Sequence, residues 1–230
     1  MAHIWPLFEL QVVTPRLVLR YVSDELGMQL AMLAAKGIHD PATMPFSEPW
    51  TDVPSPELER NSVQYYWRNR AETSVARWNL DLAVLVDESV VGMCAVHAEG
   101  FPQNRSLTTG SWLGRAYQGQ GLGKELRQAA LHLIFAGFDA DRAVTRAWHD
   151  NAASVGVTRS LPYAETGTTV EDRRDRPDTM VRFEMTAEQW ATIRRDDISL
   201  VGIEAARGQL GTARAPRRHG GDCHDVGASG

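Results

Sequence analysis

Gly110-Ser111-Trp112-Leu113-Gly114-Arg115-Ala116-Tyr117-Gln118-Gly119-Gln120-Gly121-Leu122-Gly123-Lys124-Glu125 is the stretch that decides the fold of this 230-residue chain. A strand candidate over 107–113 leads into it. Glycines at 119, 121 and 123 make a turn, and the clearest helix of the chain leaves it, predicted over 122–138. There Leu122, Leu126, Ala129, Ala130, Leu133 and Ile134 recur at helical spacing. Physically this is an anion cradle. Glycine lets the backbone come close to a ligand. The first helical turn leaves N–H groups without partners, and the helix dipole favours negative charge there. Lys124 adds a cation.

Two phosphate motifs fail at this turn. A dinucleotide fingerprint G-x-G-x-x-G begun at Gly119 or Gly121 needs glycine where Lys124 or Leu126 stands. A P-loop ending at Gly123-Lys124 needs Ser or Thr in place of Glu125 and Gly in place of Gln118. The pattern (Arg/Gln)-x-x-Gly-x-(Gly/Ala) does fit, through Gln118, Gly121 and Gly123.

The rest of the chain reads as mixed α and β in one domain. A strand is predicted over 17–22, then a helix capped by Ser23 and running to Ala35. Residues 37–56 hold five prolines and form a long loop, a feature often functional. A helix over 56–72 follows, with Pro56 in its first turn. Strands over 79–86 and 90–98 flank the hairpin-like turn Asp87-Glu88-Ser89. Beyond the central helix come a strand over 143–148, a short helix from Ala152, and strands near Thr168 and over 180–185. From Arg207 the chain turns glycine-rich and carries +2, leaving −7 for residues 1–206. The expected division is therefore a domain over 1–206 and a disordered tail over 207–230. His219, Cys223 and His224 beside Asp222 match no standard zinc spacing, and no metal is expected.

Composition excludes several classes. Apolar residues are 43% and charged residues 23%, the balance of a soluble globular protein. No stretch of eighteen apolar residues exists and no secretory signal is visible, so no membrane association is expected. The net charge of −5, with no Lys/Arg block in the body, argues against nucleic acid as a partner. Two cysteines, Cys94 and Cys223, suit a reducing cytoplasm. Cys94 lies in an apolar run and reads as buried and inert.

The turn Gln118-x-x-Gly121-x-Gly123 resembles the pyrophosphate turn of the GNAT superfamily, the coenzyme-A-dependent N-acyltransferases. The whole run 111–126 looks like the RimJ/RimL-type branch. So does Thr14-Pro15-Arg16-Leu17-Val18-Leu19-Arg20, similar to that branch's opening strand. Asp150-Asn151-Ala152-Ala153-Ser154 resembles its Asn-x-x-Ser, and Leu161-Pro162-Tyr163 stands where Leu-Gly-Tyr/Phe is usual. Pro162 departs from that pattern, and the loop over 37–56 has no match. The resemblance implies an α+β fold with a mostly antiparallel sheet, splayed at the cofactor strands and flanked by helices.

It also implies acyl transfer from acetyl-CoA or succinyl-CoA to a primary amine: a protein N-terminus, a lysine side chain or a small-molecule amine. A catalytically silent acyl-CoA-binding or regulatory module, an aminoglycoside N-acetyltransferase and a homo-oligomer stay open as alternatives. By the same likeness the backbone of Trp112, Leu113 and Gly114 pairs with pantetheine. The N–H groups of Gln118, Gly119, Gln120, Gly121, Leu122 and Gly123 hold the pyrophosphate, with Lys124 beside them. Asn151 holds the pantetheine arm or caps the helix at Ala152. Ser154, next to the sulfur, protonates the leaving thiolate, with Tyr163 as the alternative acid. An amine attacks only when neutral, and roughly one lysine amine in a few thousand is neutral at pH 7. A base is therefore needed. Candidates are Asp81, His97 and Glu99 on the preceding strands and His39 and Glu48 in the loop. For a succinyl donor, Arg68, Arg70, Arg77 and Arg105 are candidate cations.

Overall fold

The computed structural model describes residues 4–213. Its strands are β1 (Gln11–Val13), β2 (Val18–Tyr21), β3 (Arg77–Val86), β4 (Ser89–Glu99), β5 (Ser106–Leu113), β6 (Arg142–Trp148), β7 (Ala164–Asp172), β8 (Pro177–Thr186) and β9 (Ser199–Val201). They form one sheet in the order β7-β8-β6-β5-β4-β3-β2-β1-β9. Only β5 and β6 run parallel among the described strands; the other neighbours are antiparallel. This is the mixed, mostly antiparallel α+β sheet that the resemblance implied.

Local chemistry accounts for the connections. Thr14 closes the β1–β2 turn, its side chain accepting from the Leu17 N–H at 2.9 Å. Asp87 and Glu88 take left-handed φ of 46° and 62° in the β3–β4 hairpin. Short polar loops join antiparallel strands in this way. The Ser23 hydroxyl accepts from the Leu26 N–H and starts α1 (Asp24–Ala35). Helix α2 (Glu57–Ala71) follows the long loop, with Pro56 as its N-cap rather than inside it.

Side chains alternate across the strands, so the sheet has two distinct faces. On one, α1 and α2 cover Ala83, Leu85 and Met93. On the other, α4 (Leu122–His132) buries Leu122, Leu126, Ala129 and Ala130 against Leu80, Leu82, Val96 and Leu107. The predicted helix over 122–138 ends its α geometry at His132 and widens into a π turn over Leu133–Gly137. Gly137 lies there against Leu200 and Ile203, where an added Cβ would meet their side chains at 3.1 Å. The short helices are α3 (Phe101–Asn104), α5 (Ala152–Arg159), α6 (Ala187–Ala191) and α7 (Ile203–Leu210).

The boundary expected at Arg207 falls inside α7. Ala206 and Leu210 are fully buried, and Arg207 donates to the Gly137 carbonyl. Residues 214–230, including His219, Cys223 and His224, lie outside the described residues. No described helix is long and apolar enough to cross a membrane.

Candidate functional site

The site begins where the one parallel pairing stops. β5 and β6 pair from Ser106↔Arg142 to Thr109↔Thr145. Beyond that row Gly110–Leu113 pair only with β4, and Arg146–Trp148 only with β8. Two parallel strands thus part and leave a wedge between them. Gly92 holds β4 close to the open part of β5; a Cβ there would sit 2.3 Å from the Trp112 carbonyl oxygen.

The glycine turn stands at the mouth of this wedge. Gly119 and Gly121 have φ of 73° and 78°, which only glycine adopts without strain. None of the backbone N–H groups from Gly119 to Lys124 has an acceptor among the described residues. Six donors therefore stand without a partner among the described residues at the N-terminus of α4, where helices favour an anion. The expected run began one residue earlier. The Gln118 N–H is used by the turn itself, donating to Arg115 O at 3.3 Å, and Gly114 N–H donates to Val91 O at 2.9 Å.

Sequence reasoning missed Arg16. Its guanidinium donates to the Gln120 carbonyl at 3.2 Å and to Glu125 at 2.6 Å, which places a cation on the cradle. Glu125 also accepts from Thr14 Oγ1 at 2.7 Å. Burial pushes the Glu125 carboxyl up, but these hydrogen bonds outweigh it and hold the group below its usual range. The signal was present only as Glu125, an acid in the first turn of α4, and Arg16 just before β2. Only the tertiary fold brings the two together.

At the far side of the wedge, Asn151 caps α5, its Oδ1 accepting from the Ser154 N–H at 3.1 Å. The capping role is therefore real, and the Asn151 amide nitrogen remains for a ligand. Ser154 is half-buried, one turn before Val157, which packs at 3.6 Å from the Cβ position of Gly123. α5 thus abuts the first turn of α4. Tyr163 lies deeper, at the last paired row: its hydroxyl is buried on the α4 face, beside Arg127 and Thr109, with no well-aligned hydrogen bond. Cys94 is buried, and burial pushes its thiol up to about 12.

Glu99 is not brought to the wedge. It is exposed at the end of β4 next to the closed half of β5, roughly 20 Å along the strand from the row of Met93 and Trp112. Asp81 and His97 belong to one chain on the α2 face, half-buried at His97 and buried at Asp81. His97 Nδ1 donates to Asn79 Oδ1 at 2.6 Å, Asn79 to Asn69 at 3.1 Å, and Asn69 to Asp81 Oδ2 at 2.8 Å. Since the amide oxygen only accepts, His97 carries its hydrogen on Nδ1 and keeps Nε2 as a base. Burial raises the Asp81 carboxyl to about 6. Burial, with Arg77 nearby, lowers His97.

The loop over 37–56 crosses the wedge on this same face. Gln118 Nε2 donates to both Ile38 O and Leu113 O at 2.8 Å. Trp50 packs on Trp112 with ring centroids 6.1 Å apart. Across the gap, Trp148 donates to Phe46 O at 3.0 Å, and Arg173 to Met44 O at 2.7 Å. Arg174 completes the anchorage with a bidentate pair to Asp52. Both lips of the wedge are tied to one strap. Trp112 serves as its shelf.

Solved structures share this fold. Ribosomal L7/L12 alpha-N-protein acetyltransferase RimL, in complex with coenzyme A, matches with a TM-score of 0.60 and 18% identity over 76% of this chain and 96% of that one. A chimera of spermidine N-acetyltransferase SpeG from Vibrio cholerae and hSSAT gives 0.59 and 14% over 76% and 98%. A GNAT-family acetyltransferase from Bacillus anthracis gives 0.57 and 13% over 77% and 99%. The family model "Acetyltransferase (GNAT) domain" matches residues 16–163, which span Arg16, the wedge, the glycine turn, Ser154 and Tyr163. The chain belongs to the GNAT acetyltransferase family, enzymes that transfer an acyl group from acyl-coenzyme A.

Proposed function

We propose that this protein transfers an acetyl or succinyl group from its coenzyme A thioester to a primary amine by direct attack. The carrying observation is the set of six free N–H groups at the start of α4, opening onto the wedge between β5 and β6. A diphosphate satisfies those donors, and an extended arm along β5 replaces the strand partner that β6 ceases to be. The Arg16 and Lys124 side chains add charge at the phosphate end.

The amine approaches from the face covered by the strap. Its nitrogen bonds to the thioester carbonyl carbon, the C–S bond breaks, and the thiolate takes a proton from Ser154, which regains one from water. The amine's own proton passes, directly or through water, to the chain that ends at Asp81. Asp81 lies in one cross-strand row with Ala95 and Gly110, both small, and nothing lies within 4 Å of a Cβ built on Gly110. A shallow trough thus leads from the wedge toward the carboxylate. Tyr21 on β2 and Tyr65 and Tyr66 on α2 share the surroundings of Asp81, and burial raises their phenols above their ordinary range. The acceptors named for RimL and for the spermidine enzyme are amines, which supports an amine here.

Isothermal titration of coenzyme A into the wild type and Gly121→Val tests the placement. Valine at φ 78° is strained and crowds the cradle. The expected result is a loss of affinity of about tenfold or more. Equal affinity in the two proteins would refute it. Turnover of an amine panel with pH variation tests the base: kcat/KM should fall below pH about 6, and Asp81→Asn should remove that limb.

A further inference from the structure

Arg127 projects from α4 into the α4 face of the sheet and is only 6% exposed. Its one well-aligned hydrogen bond runs from Nη1 to Thr109 Oγ1 at 3.2 Å, with the Tyr163 hydroxyl beside it. It makes no ion pair among the described residues. Glu125, two residues away, is held elsewhere by Thr14 and Arg16. A buried cation without a counter-charge is costly, and proteins pair such groups or give them a ligand.

Its location says which ligand. Thr109 and Thr145 form the last paired row before β5 and β6 part, and Thr145 Oγ1 donates to Thr109 O at 3.2 Å. Arg127 therefore stands at the apex of the wedge. The Tyr163 hydroxyl is buried beside Arg127 and Thr109 with no well-aligned partner, and offers a second donor at the same place. Residues of odd number on β5, Thr109 and Leu113, point to this face, whereas Trp112 and the strap lie on the other. The amine enters from the strap face, so an anion met by Arg127 belongs to the donor. An acetyl group would bring only a methyl to this corner and leave the guanidinium uncompensated.

Resting on the proposed acyl transfer, we infer that Arg127, with Tyr163 and Thr109, receives the free carboxylate of a short dicarboxylic acyl thioester of coenzyme A, of which succinyl-CoA is the type. A planar guanidinium takes a carboxylate with two parallel hydrogen bonds. The transfer then converts a cationic amine into an amide that ends in a carboxylate. None of Arg68, Arg70, Arg77 or Arg105 stands at the apex. Arg70 pairs with Asp24, and Arg105 is bound to the carbonyls of Phe138 and Thr212.

The test is titration of coenzyme A, acetyl-CoA and succinyl-CoA into wild type, Arg127→Met, Arg127→Lys and Tyr163→Phe, with near-UV circular dichroism to verify folding. The wild type should bind succinyl-CoA at least tenfold more tightly than acetyl-CoA. Arg127→Met should bring that ratio to about one while its affinity for coenzyme A stays within about threefold. Arg127→Lys should restore part of the ratio, and Tyr163→Phe should lower it several-fold. A wild-type ratio near one, or a ratio that survives in Arg127→Met, overturns the inference and leaves the acyltransferase reading standing. Failure of the wild type to bind any of the three overturns both. Should Arg127→Met not fold, the wild-type ratio and the Lys and Phe variants still decide.

Discussion

Arg105 and Arg127 are two largely buried guanidinium groups that meet the same strand pair, in opposite company. Arg105 precedes β5 at its closed end. It donates to the carbonyls of Thr212 and Phe138 at 3.0 Å each and to that of Asp139, pairs with the Asp139 carboxylate, and stacks 4.4 Å from the Phe101 ring centroid. Arg127 meets the strand four residues further on, where it begins to part from β6, and has a single hydroxyl. The first guanidinium ties the α4–β6 connection and the C-terminal segment to the sheet. The second has donors to spare. The difference separates an arginine that holds the fold from one that holds a substrate, although burial alone would class them together.

The comparison breaks first on stability. Arg105→Met should cost about 3 kcal/mol or more, because several buried carbonyls lose a charge-assisted donor. Arg127→Met removes an unpaired buried charge and should leave stability within about 1 kcal/mol of wild type, or raise it. Urea denaturation of both variants checks the pair. Equal losses would mean that Arg127 is as structural as Arg105.

A second buried charge sharpens the contrast. Asp81 on the α2 face has one oxygen held by Asn69 and the other without a partner. Its folded pKa, about 6, is raised above the unfolded value. Its contribution is therefore favourable below pH 4 and is lost as pH rises through about 6. Asp81→Asn should be more stable than wild type by about 2 kcal/mol at pH 8, with the gap closing toward pH 4. Thermal melts across that range report it. A gap independent of pH would show that the carboxylate is not the cause.

The smallest effect belongs to the open end itself. Gln118→Ala should lower stability by only about 1 kcal/mol, since two hydrogen bonds to carbonyls are lost near solvent. The amine KM should rise several-fold, because the strap loses its tie to the glycine turn. Steady-state kinetics with the amine varied measures this, and an unchanged KM would detach the strap from acceptor binding.

The glycine turn was legible because its information is local: three glycines two apart, then a helix with its own apolar period. The wedge was not legible from residues, since it is a failure of pairing between strands separated by α4; it entered only through resemblance. Glu99 shows the same limit. It sits on the expected strand, yet strand register decides whether a residue is near the site or roughly 20 Å from it. β1 and β9, three residues each, are too short to show a period. α7 went unread because what seats it is tertiary: Ala206 and Leu210 are buried and Arg207 donates to the distant Gly137 carbonyl. Arg127 did leave a trace. It lies three and seven residues before Ala130 and Ile134, on the apolar stripe of the helix, where a charge is out of place.

The strap has a mechanical corollary. Its two moorings, Ile38 on the β5 lip and Met44 with Phe46 on the β6 lip, are separated by at most eight residues of backbone. Any guest that prises the lips apart must draw that short tether taut. The gap between the lips can therefore widen only as far as those eight residues allow.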